Sequence, residues 1–176
     1  MRMKSLLQLL SRCANWILRE WPKRLGKADS EDLPVPRVLA PNELVTRFIC
    51  SESHIRKKKA RPKPSAFNPS PHIELSVAHT SGLPNAEIWD LGKQTLGSEP
   101  GREKLHGRAD VQVQSFVDVR LRTLRDDRPF KRHTCVVDWP LGSDANETKE
   151  LWKQITLELS EDSRVTLVLP KAPIVR

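Results

Sequence analysis

Residues 47–79 read RFICSESHIRKKKARPKPSAFNPSPHIELSVAH, a basic and proline-rich segment between two apolar ones. The first apolar segment, Glu43–Cys50, is rich in β-branched side chains, which favour a strand. The second, Ile73–Thr80, alternates apolar with other side chains, the period of a half-buried strand. Between them, the cations and prolines of Glu52–Pro71 favour an irregular, solvated loop. The stretch therefore predicts two strands joined by a basic loop.

The middle of the chain predicts one short helix and further strands. Asn85 is suited to cap the start of a helix, and Gly92 is suited to close it in a left-handed conformation. Residues 109–124 fit one bent strand equally well as a strand, a short helix and a second strand. Residues 134–139 predict another short strand, which Pro140 would end.

The C-terminal part carries the clearest helix signal in the chain. Ser143 or Asp144 would cap this helix, and acidic residues in its first turn suit the helix dipole. Residues 164–169 predict a final strand. We therefore expect an α+β fold, with a mixed or antiparallel sheet of four to six strands and one long C-terminal helix, plus an N-terminal amphipathic helix.

Four segments are expected along the chain. Residues 1–21 form an amphipathic basic helix, and residues 22–41 form a proline-rich linker. Residues 42–170 form a single α+β domain, and residues 171–176 form a tail. The first segment has three interpretations: a helix that docks on the domain or contacts a partner, a helix on a membrane surface, or a translated leader.

Composition limits the kinds of partner and compartment. The chain has 176 residues, a formal net charge of +8 and a sequence pI of about 9.7, which favours nucleic acid or an acidic protein as partner. Three widely spaced cysteines indicate neither a disulfide framework nor a ribbon-type zinc site, so we expect a reducing cytoplasm. No run of residues reaches the roughly 20 apolar positions of a membrane-spanning helix. No cofactor is expected.

The basic loop is the strongest functional feature. A polyanion lying across it would relieve the mutual repulsion of its six cations, which are Arg56, Lys57, Lys58, Lys59, Arg61 and Lys63. Arg120 to Arg132 adds a second basic stretch. Because aromatic residues are scarce in the loop, contact with phosphates is favoured over base stacking. The alternative is a loop that is simply solvated.

A zinc site is a weaker hypothesis. Cys50 and His54 are four positions apart, and His133 and Cys135 are two apart on a neighbouring predicted strand. Together they supply two thiols and two imidazoles, which suit tetrahedral zinc. The spacing is not that of a standard zinc motif, so we predict no metal.

Enzymatic hypotheses rest on a few polar residues. Arg47, Ser76 and Glu87 resemble the Arg, Ser, Glu order of some ADP-ribosyltransferases, without the motifs that make that family specific. A small enzyme for a nucleotide or phosphorylated ligand would need five side chains in one cleft, those of Arg47, His54, Ser76, Arg108 and His133. The catalytic candidates among them are Arg47, His54, Ser76 and His133. A serine or cysteine hydrolase is disfavoured, since no Gly-x-Ser-x-Gly motif occurs and no histidine has an evident orienting partner in sequence.

Part of the chain resembles a family of small uncharacterised bacterial proteins, over roughly residues 44–160. The motifs that carry the resemblance include RPKPSAFNP at 61–69, IWDLG at 88–92 and HGRAD at 106–110. The resemblance implies a bacterial, cytoplasmic protein with no assigned activity. It adds His106, Arg108 and Asp110 to the polar residues of interest. Our expectation is an accessory or binding protein that uses its basic loop, rather than an enzyme.

Overall fold

The computed structural model describes residues 37–69, 73–96 and 104–170. They belong to one compact unit that spans residues 35–176. The predicted helix over residues 1–21, most of the predicted linker and the predicted tail lie outside the described residues.

The described residues form an α+β fold around an antiparallel sheet. Seven strands make this sheet in the order β1-β7-β8-β5-β2-β6-β9, and two more, β3 and β4, form a separate pair. The strands are β1 Arg37–Val38, β2 Leu44–Ile49, β3 Ile55–Arg56, β4 Arg61–Pro62, β5 Leu75–His79, β6 Gly107–Gln112, β7 Arg122–Arg125, β8 His133–Val137 and β9 Val165–Val168. The helices are α1 Asn85–Leu96, α2 Val113–Asp118 and α3 Ala145–Glu161. The sheet thus has one strand more than the predicted maximum of six.

The extra strand lies in the segment that was predicted to be linker. β1 pairs Arg37 with Arg125 and Val38 with Leu124 at the edge of the sheet, and the next residue, Leu39, is 3% exposed. A strand of two residues carries no periodic pattern, so the surrounding prolines dominated the prediction. The folded domain therefore includes residues from at least Arg37, before the predicted boundary at 42.

The sheet is buried on both faces, although unequally. On β2, Val45 and Ile49 point into the main core, while Phe48 points to the opposite face. α3 contributes Leu159 to the main core, and α1 contributes Ile88 to a smaller core around Phe48. Burial on both sides explains why β2 reads as an apolar run without clean alternation.

α3 confirms the predicted C-terminal helix and its cap. Asp144 Oδ1 accepts hydrogen bonds from the backbone N–H groups of Asn146 at 2.7 Å and Glu147 at 2.9 Å. Inside the domain, Trp152 of α3 meets Trp139 edge to face. Among the described residues, no helix combines the length and the apolar character that crossing a bilayer requires.

Two local predictions had different outcomes. α1 continues to Leu96, so the prediction that Gly92 ends it is wrong. Gly92 is instead a buried helical position against Phe48, where a Cβ atom would lie 2.7 Å from the Phe48 ring. For residues 109–124, the alternative of strand, short helix and second strand is confirmed by β6, α2 and β7.

The predicted basic loop is a folded hairpin rather than an irregular solvated loop. Residues 52–67, called the basic hairpin below, contain β3 and β4 and three short 3-10 turns. Ile55 and Phe67 are 6% and 0% exposed and belong to the main core. Apolar residues between the cations therefore anchor the segment in the core. The sequence prediction of a solvated loop followed the cations and prolines and did not recognise these apolar residues as part of the core.

Candidate active site

Ser76 lies on the central strand β5 and faces away from the main core. Its neighbours Leu75 and Val77 are buried in that core, so strand alternation turns Ser76 to the other face. Phe48 and Ala78 on that face are covered by the smaller core with α1. Ser76 itself is exposed, which places its hydroxyl group at the surface of the domain.

Strand pairing brings His133 beside Ser76. Ser76 is opposite Cys135 in the ladder between β5 and β8, so His133 is its diagonal neighbour on the same face. Ser76 Oγ and His133 Nε2 are 2.9 Å apart, a hydrogen-bond distance. His133 is 6% exposed, and Phe130 meets its ring edge to face at 4.9 Å between centroids. Packing therefore limits the orientations of the imidazole.

The turn between β7 and β8 places Asp126 at the other ring nitrogen. Asp126 Oδ1 is 2.7 Å from His133 Nδ1 and also accepts a hydrogen bond from the backbone N–H of Arg128 at 3.2 Å. The backbone N–H groups of Asp126 and Asp127 both donate to the carbonyl oxygen of His133. Asp127 Oδ1 in turn accepts from the backbone N–H of Arg132 at 2.5 Å. The carboxylate that orients His133 is thus fixed by a closed turn.

Ser76, His133 and Asp126 form what we call the triad. When the proton of the neutral imidazole is on Nδ1 and is donated to Asp126, Nε2 is free to accept the hydroxyl proton of Ser76. That arrangement makes a serine nucleophilic in many unrelated folds. β5 pairs with β8 over Leu75–Ala78 but with β2 only at Ala78 and His79, so the groups that would stabilise an oxyanion at Ser76 are not identified by the strand pairing.

Cys135 lies next to the triad but is not suited to be the nucleophile. Its Sγ is 3.3 Å from Glu74 Oε2 and 4.0 Å from either ring nitrogen of His133. Burial raises the pKa of the Cys135 thiol strongly, and the negative charge of Glu74 raises it further. The thiol therefore stays protonated at neutral pH, which makes it a poor nucleophile.

Several cations of the basic hairpin form ion pairs or hydrogen bonds with other residues of the domain. Arg56 forms an ion pair with Glu161, and Lys57 forms one with Glu52 at 2.9 Å. Arg61 donates to the carbonyl oxygen of Asp162 at 3.1 Å, just beyond the C-terminal end of α3. Arg56 and Arg61 therefore lie at the C-terminal end of α3, the negative end of its helix dipole, where a cation is favourable.

Three of the six hairpin cations are directed to solvent, and one of them, Lys57, is 73% exposed in its ion pair with Glu52. Lys58 and Lys59 are exposed, and Lys63 is half-buried. In the second basic stretch, Arg122 pairs with Asp138, and Arg132 donates to the carbonyl oxygen of His79 at 3.2 Å. The basic residues are therefore less available to a polyanion than their number suggests.

The side chains of Arg47 and Ser76, two of the catalytic candidates, lie on opposite faces of the sheet. The side chain of Arg47 donates to the carbonyl oxygens of Ala66 at 3.1 Å and of Ser76 at 2.8 Å, on the face that carries the main core. The hydroxyl group of Ser76 points to the other face. His54 lies on the Arg47 side, and its pKa is lowered by burial and then by the positive charges of Arg47 and Lys63. The arrangement needed for an ADP-ribosyltransferase-like cleft is thus not formed by these side chains.

Arg108 and Asp110 have a structural position. Arg108 is 4% exposed, and its Nε and Nη2 atoms lie 3.1 and 3.0 Å from Asp110 Oδ2. Its guanidinium also stacks over the ring of Trp89 at 5.0 Å, which links β6 to α1. His106 is separate from this pair, with Nδ1 3.5 Å from Glu52 Oε1.

The residues proposed for zinc are only partly brought together. Among the described residues, His133 and Cys135 lie close to each other and to Asp126. Cys50 and His54 are not members of that group. Asp126 was missed from the sequence because its role depends on the pairing of β7 with β8; the only local signal was its place in a turn between two predicted strands.

Comparisons with known proteins give no relative from which a role could be transferred. No family model, no curated protein and no solved structure matches the chain. The resemblance drawn from the sequence therefore stays an expectation.

Proposed function

We propose that the protein is an enzyme of acyl transfer or hydrolysis that uses Ser76 as its nucleophile. The observation that carries the proposal is the continuous hydrogen-bonded path from Ser76 Oγ to His133 Nε2 at 2.9 Å and from His133 Nδ1 to Asp126 Oδ1 at 2.7 Å. Each member has the exposure its role requires: Ser76 is exposed, and the side chains of His133 and Asp126 are 7% and 24% exposed.

The chemistry follows from the protonation of His133. Nε2 accepts the proton of Ser76 as the serine oxygen bonds to the carbonyl carbon of an ester or amide. The same proton then passes to the leaving alcohol or amine, and water releases the acyl group by the reverse route. Asp126 stabilises the imidazolium that forms in both steps.

Charge near the site favours a neutral or cationic substrate. Asp126 belongs to the triad, and the Glu74 carboxylate lies 3.3 Å from the thiol of Cys135, which is opposite Ser76 in the ladder. An anionic substrate would be repelled by both carboxylates. We therefore propose esters or amides as substrates, rather than the nucleotides or phosphorylated ligands of the alternative enzyme hypothesis drawn from the sequence.

A serine-reactive fluorophosphonate probe tests the proposal without knowledge of the substrate. We expect one probe per chain, located at Ser76 by peptide mass spectrometry and absent in Ser76→Ala. His133→Gln should slow labelling about 10²–10⁴-fold, the usual contribution of a general base. Asp126→Asn should also slow it, because an amide N–H facing Nδ1 favours the tautomer that protonates Nε2.

Ser65→Ala is the matched control for labelling. Ser65 is also an exposed serine, but no described histidine is hydrogen-bonded to it, so its loss should leave labelling unchanged. Labelling spread over several surface serines, or labelling of Ser76 that His133→Gln does not slow, would refute the proposal.

A second candidate function is contact with a polyanion through the tip of the basic hairpin. Its support is the exposure of Lys58 and Lys59 between β3 and β4, together with the net charge of +8. We expect retention on heparin that falls steeply as salt rises and is weakened in a Lys58→Gln/Lys59→Gln variant. Lys153→Gln, on α3 in an exposed ion pair with Glu150, is the control. Equal retention of both variants would argue against the hairpin.

A further inference from the structure

One group of side chains next to Ser76 has the composition of a metal site. Asp126, His133 and Cys135 each offer one ligand atom, and these atoms all lie within 4.8 Å of one another. Sγ of Cys135 is 4.0 Å from both ring nitrogens of His133, and Asp126 Oδ1 is 2.7 Å from Nδ1. The group combines a thiol, an imidazole and a carboxylate.

The sheet supplies His133 and Cys135, and the turn that joins β7 to β8 supplies Asp126. His133 and Cys135 are two positions apart on β8, so their side chains leave the same face. Asp126 directly follows β7, the strand that pairs with β8. The backbone ladder holds the two ligands on β8, and the hydrogen bonds from the backbone N–H groups of Asp126 and Asp127 to the carbonyl oxygen of His133 hold the turn that carries the third.

We propose that Asp126, His133 and Cys135 form a binding site for Zn²⁺, in which Zn²⁺ displaces the thiol proton of Cys135 to solvent and binds the thiolate. Zinc accepts sulfur, nitrogen and oxygen ligands, and bond lengths of about 2.0–2.3 Å place tetrahedral ligand atoms roughly 3.3–3.6 Å apart. The Asp126–His133 separation of 2.7 Å lies below this range and the His133–Cys135 separation of 4.0 Å lies above it, while all three ligand atoms lie within 4.8 Å of one another, so side-chain shifts of about 1 Å would bring them into zinc geometry. Water or the exposed carboxylate of Glu74, 3.3 Å from Sγ, completes the four-coordinate shell.

The position of Ser76 identifies Nδ1 as the ligand atom of His133. Nε2 already lies 2.9 Å from Ser76 Oγ, whereas Nδ1 faces the carboxylate. With zinc on Nδ1, the remaining proton is on Nε2 and is donated to Ser76, the kind of outer hydrogen bond that orients a ligating histidine. Ser76 then acts as a positioning residue of the metal site.

Zinc binding and serine activation exclude each other. Nε2 cannot accept the hydroxyl proton of Ser76 while it carries its own proton, so zinc acts as an inhibitor of the triad. This inhibition rests on the proposed function; the binding of zinc does not.

The experiment titrates Zn²⁺ into the chelator-treated full chain in competition with a chromophoric zinc indicator. We expect one equivalent to bind, and binding to weaken more than ~100-fold in Cys135→Ser and in Asp126→Asn, since even outer-shell changes cost 10–100-fold. Cys50→Ser is the matched control, because Cys50 is the other described cysteine and is outside the group. Far-ultraviolet circular dichroism of both ligand variants checks that each is folded.

The outcomes separate the metal site from the proposed enzyme. Less than one equivalent bound to the wild-type chain, or wild-type affinity in both ligand variants, would overturn the zinc site. Ser76→Ala should still bind zinc while losing fluorophosphonate labelling. If the chain binds zinc but is never labelled, the proposed function fails and the site stands. If both hold, zinc should suppress labelling of the wild-type chain but not of Cys135→Ser.

Discussion

Asp110→Asn removes the negative partner of a buried cation while keeping the shape of the side chain. Arg108, which is 4% exposed, would keep its positive charge, its hydrogen bond to the carbonyl oxygen of Asn85 at 3.3 Å and its contact with Trp89. Loss of one partner of a buried ion pair costs about 3–5 kcal/mol. Because the Asp110 side chain is 22% exposed, the loss should lie at or just below the lower limit of that range, and we expect about 2–3 kcal/mol.

Arg108→Met should cost less than Asp110→Asn. The carboxylate left behind is partly solvated and still accepts a hydrogen bond from Thr46 Oγ1 at 2.7 Å, and methionine retains much of the apolar stem of the arginine. The double variant contains no unpaired buried charge, so it should be more stable than Asp110→Asn alone. Urea denaturation followed by circular dichroism measures all three free energies of unfolding.

Asp138→Asn is the control for this prediction. It makes the same chemical change in the ion pair with Arg122, whose partners are 59% and 42% exposed, and it should leave stability unchanged. A domain of this size would show the loss in Asp110→Asn as a drop in Tm of about 6–12 °C. If Asp110→Asn is as stable as the wild type, or if the double variant is less stable than both single ones, the argument from burial is refuted.

Two further predictions concern packing and pH. In Gly92→Ala, the new Cβ would lie 2.7 Å from Phe48 Cε1 and 2.9 Å from Leu105 Cδ2, and overpacking of about 1–3 kcal/mol outweighs a helix-propensity gain of about 1 kcal/mol. The Tm measured by calorimetry should therefore fall, and a rise would contradict the packing. Burial is the largest cause that lowers the pKa values of His54 and His79, so the unfolded chain binds protons first as pH falls. Both residues therefore stabilise the folded chain above about pH 6.5, and this stabilisation is lost as the pH falls below that value. Urea denaturation at a series of pH values should show the free energy of unfolding falling with pH. If that free energy falls as much in His79→Gln as in the wild type, the role of His79 is contradicted.

Much of the sheet is predictable because its strands carry local patterns. β2 and β5 match the predicted strands at 43–50 and 73–80, and the Asp144 cap marks the start of α3. The elements that were missed depend on distant partners. β1 is a strand only because β7 lies beside it.

The candidate active site shows the same limit. Ser76 and His133 were named from the sequence as polar residues of interest, but nothing local indicates that they are diagonal neighbours. Asp126 joins them through the turn that connects β7 and β8, so its role is invisible until the register of that hairpin is known. The sequence could indicate which residues are chemically suited to a site, but the hydrogen bonds that join Ser76, His133 and Asp126 depend on the register of the strands.

The contacts of the basic hairpin also limit how early the domain can complete its folding during synthesis. Arg56 meets Glu161, and Arg61 meets the carbonyl oxygens of Ser160 and Asp162, across separations of 99 to 105 residues along the chain. A growing polypeptide can pair β2 with β5 long before these acceptors leave the ribosome. Until then, Arg56 and Arg61 lack these acceptors and are solvated by water and ions. The docking of α3 and the pairing of β9 with β6 must therefore wait until the last part of the chain has been synthesised.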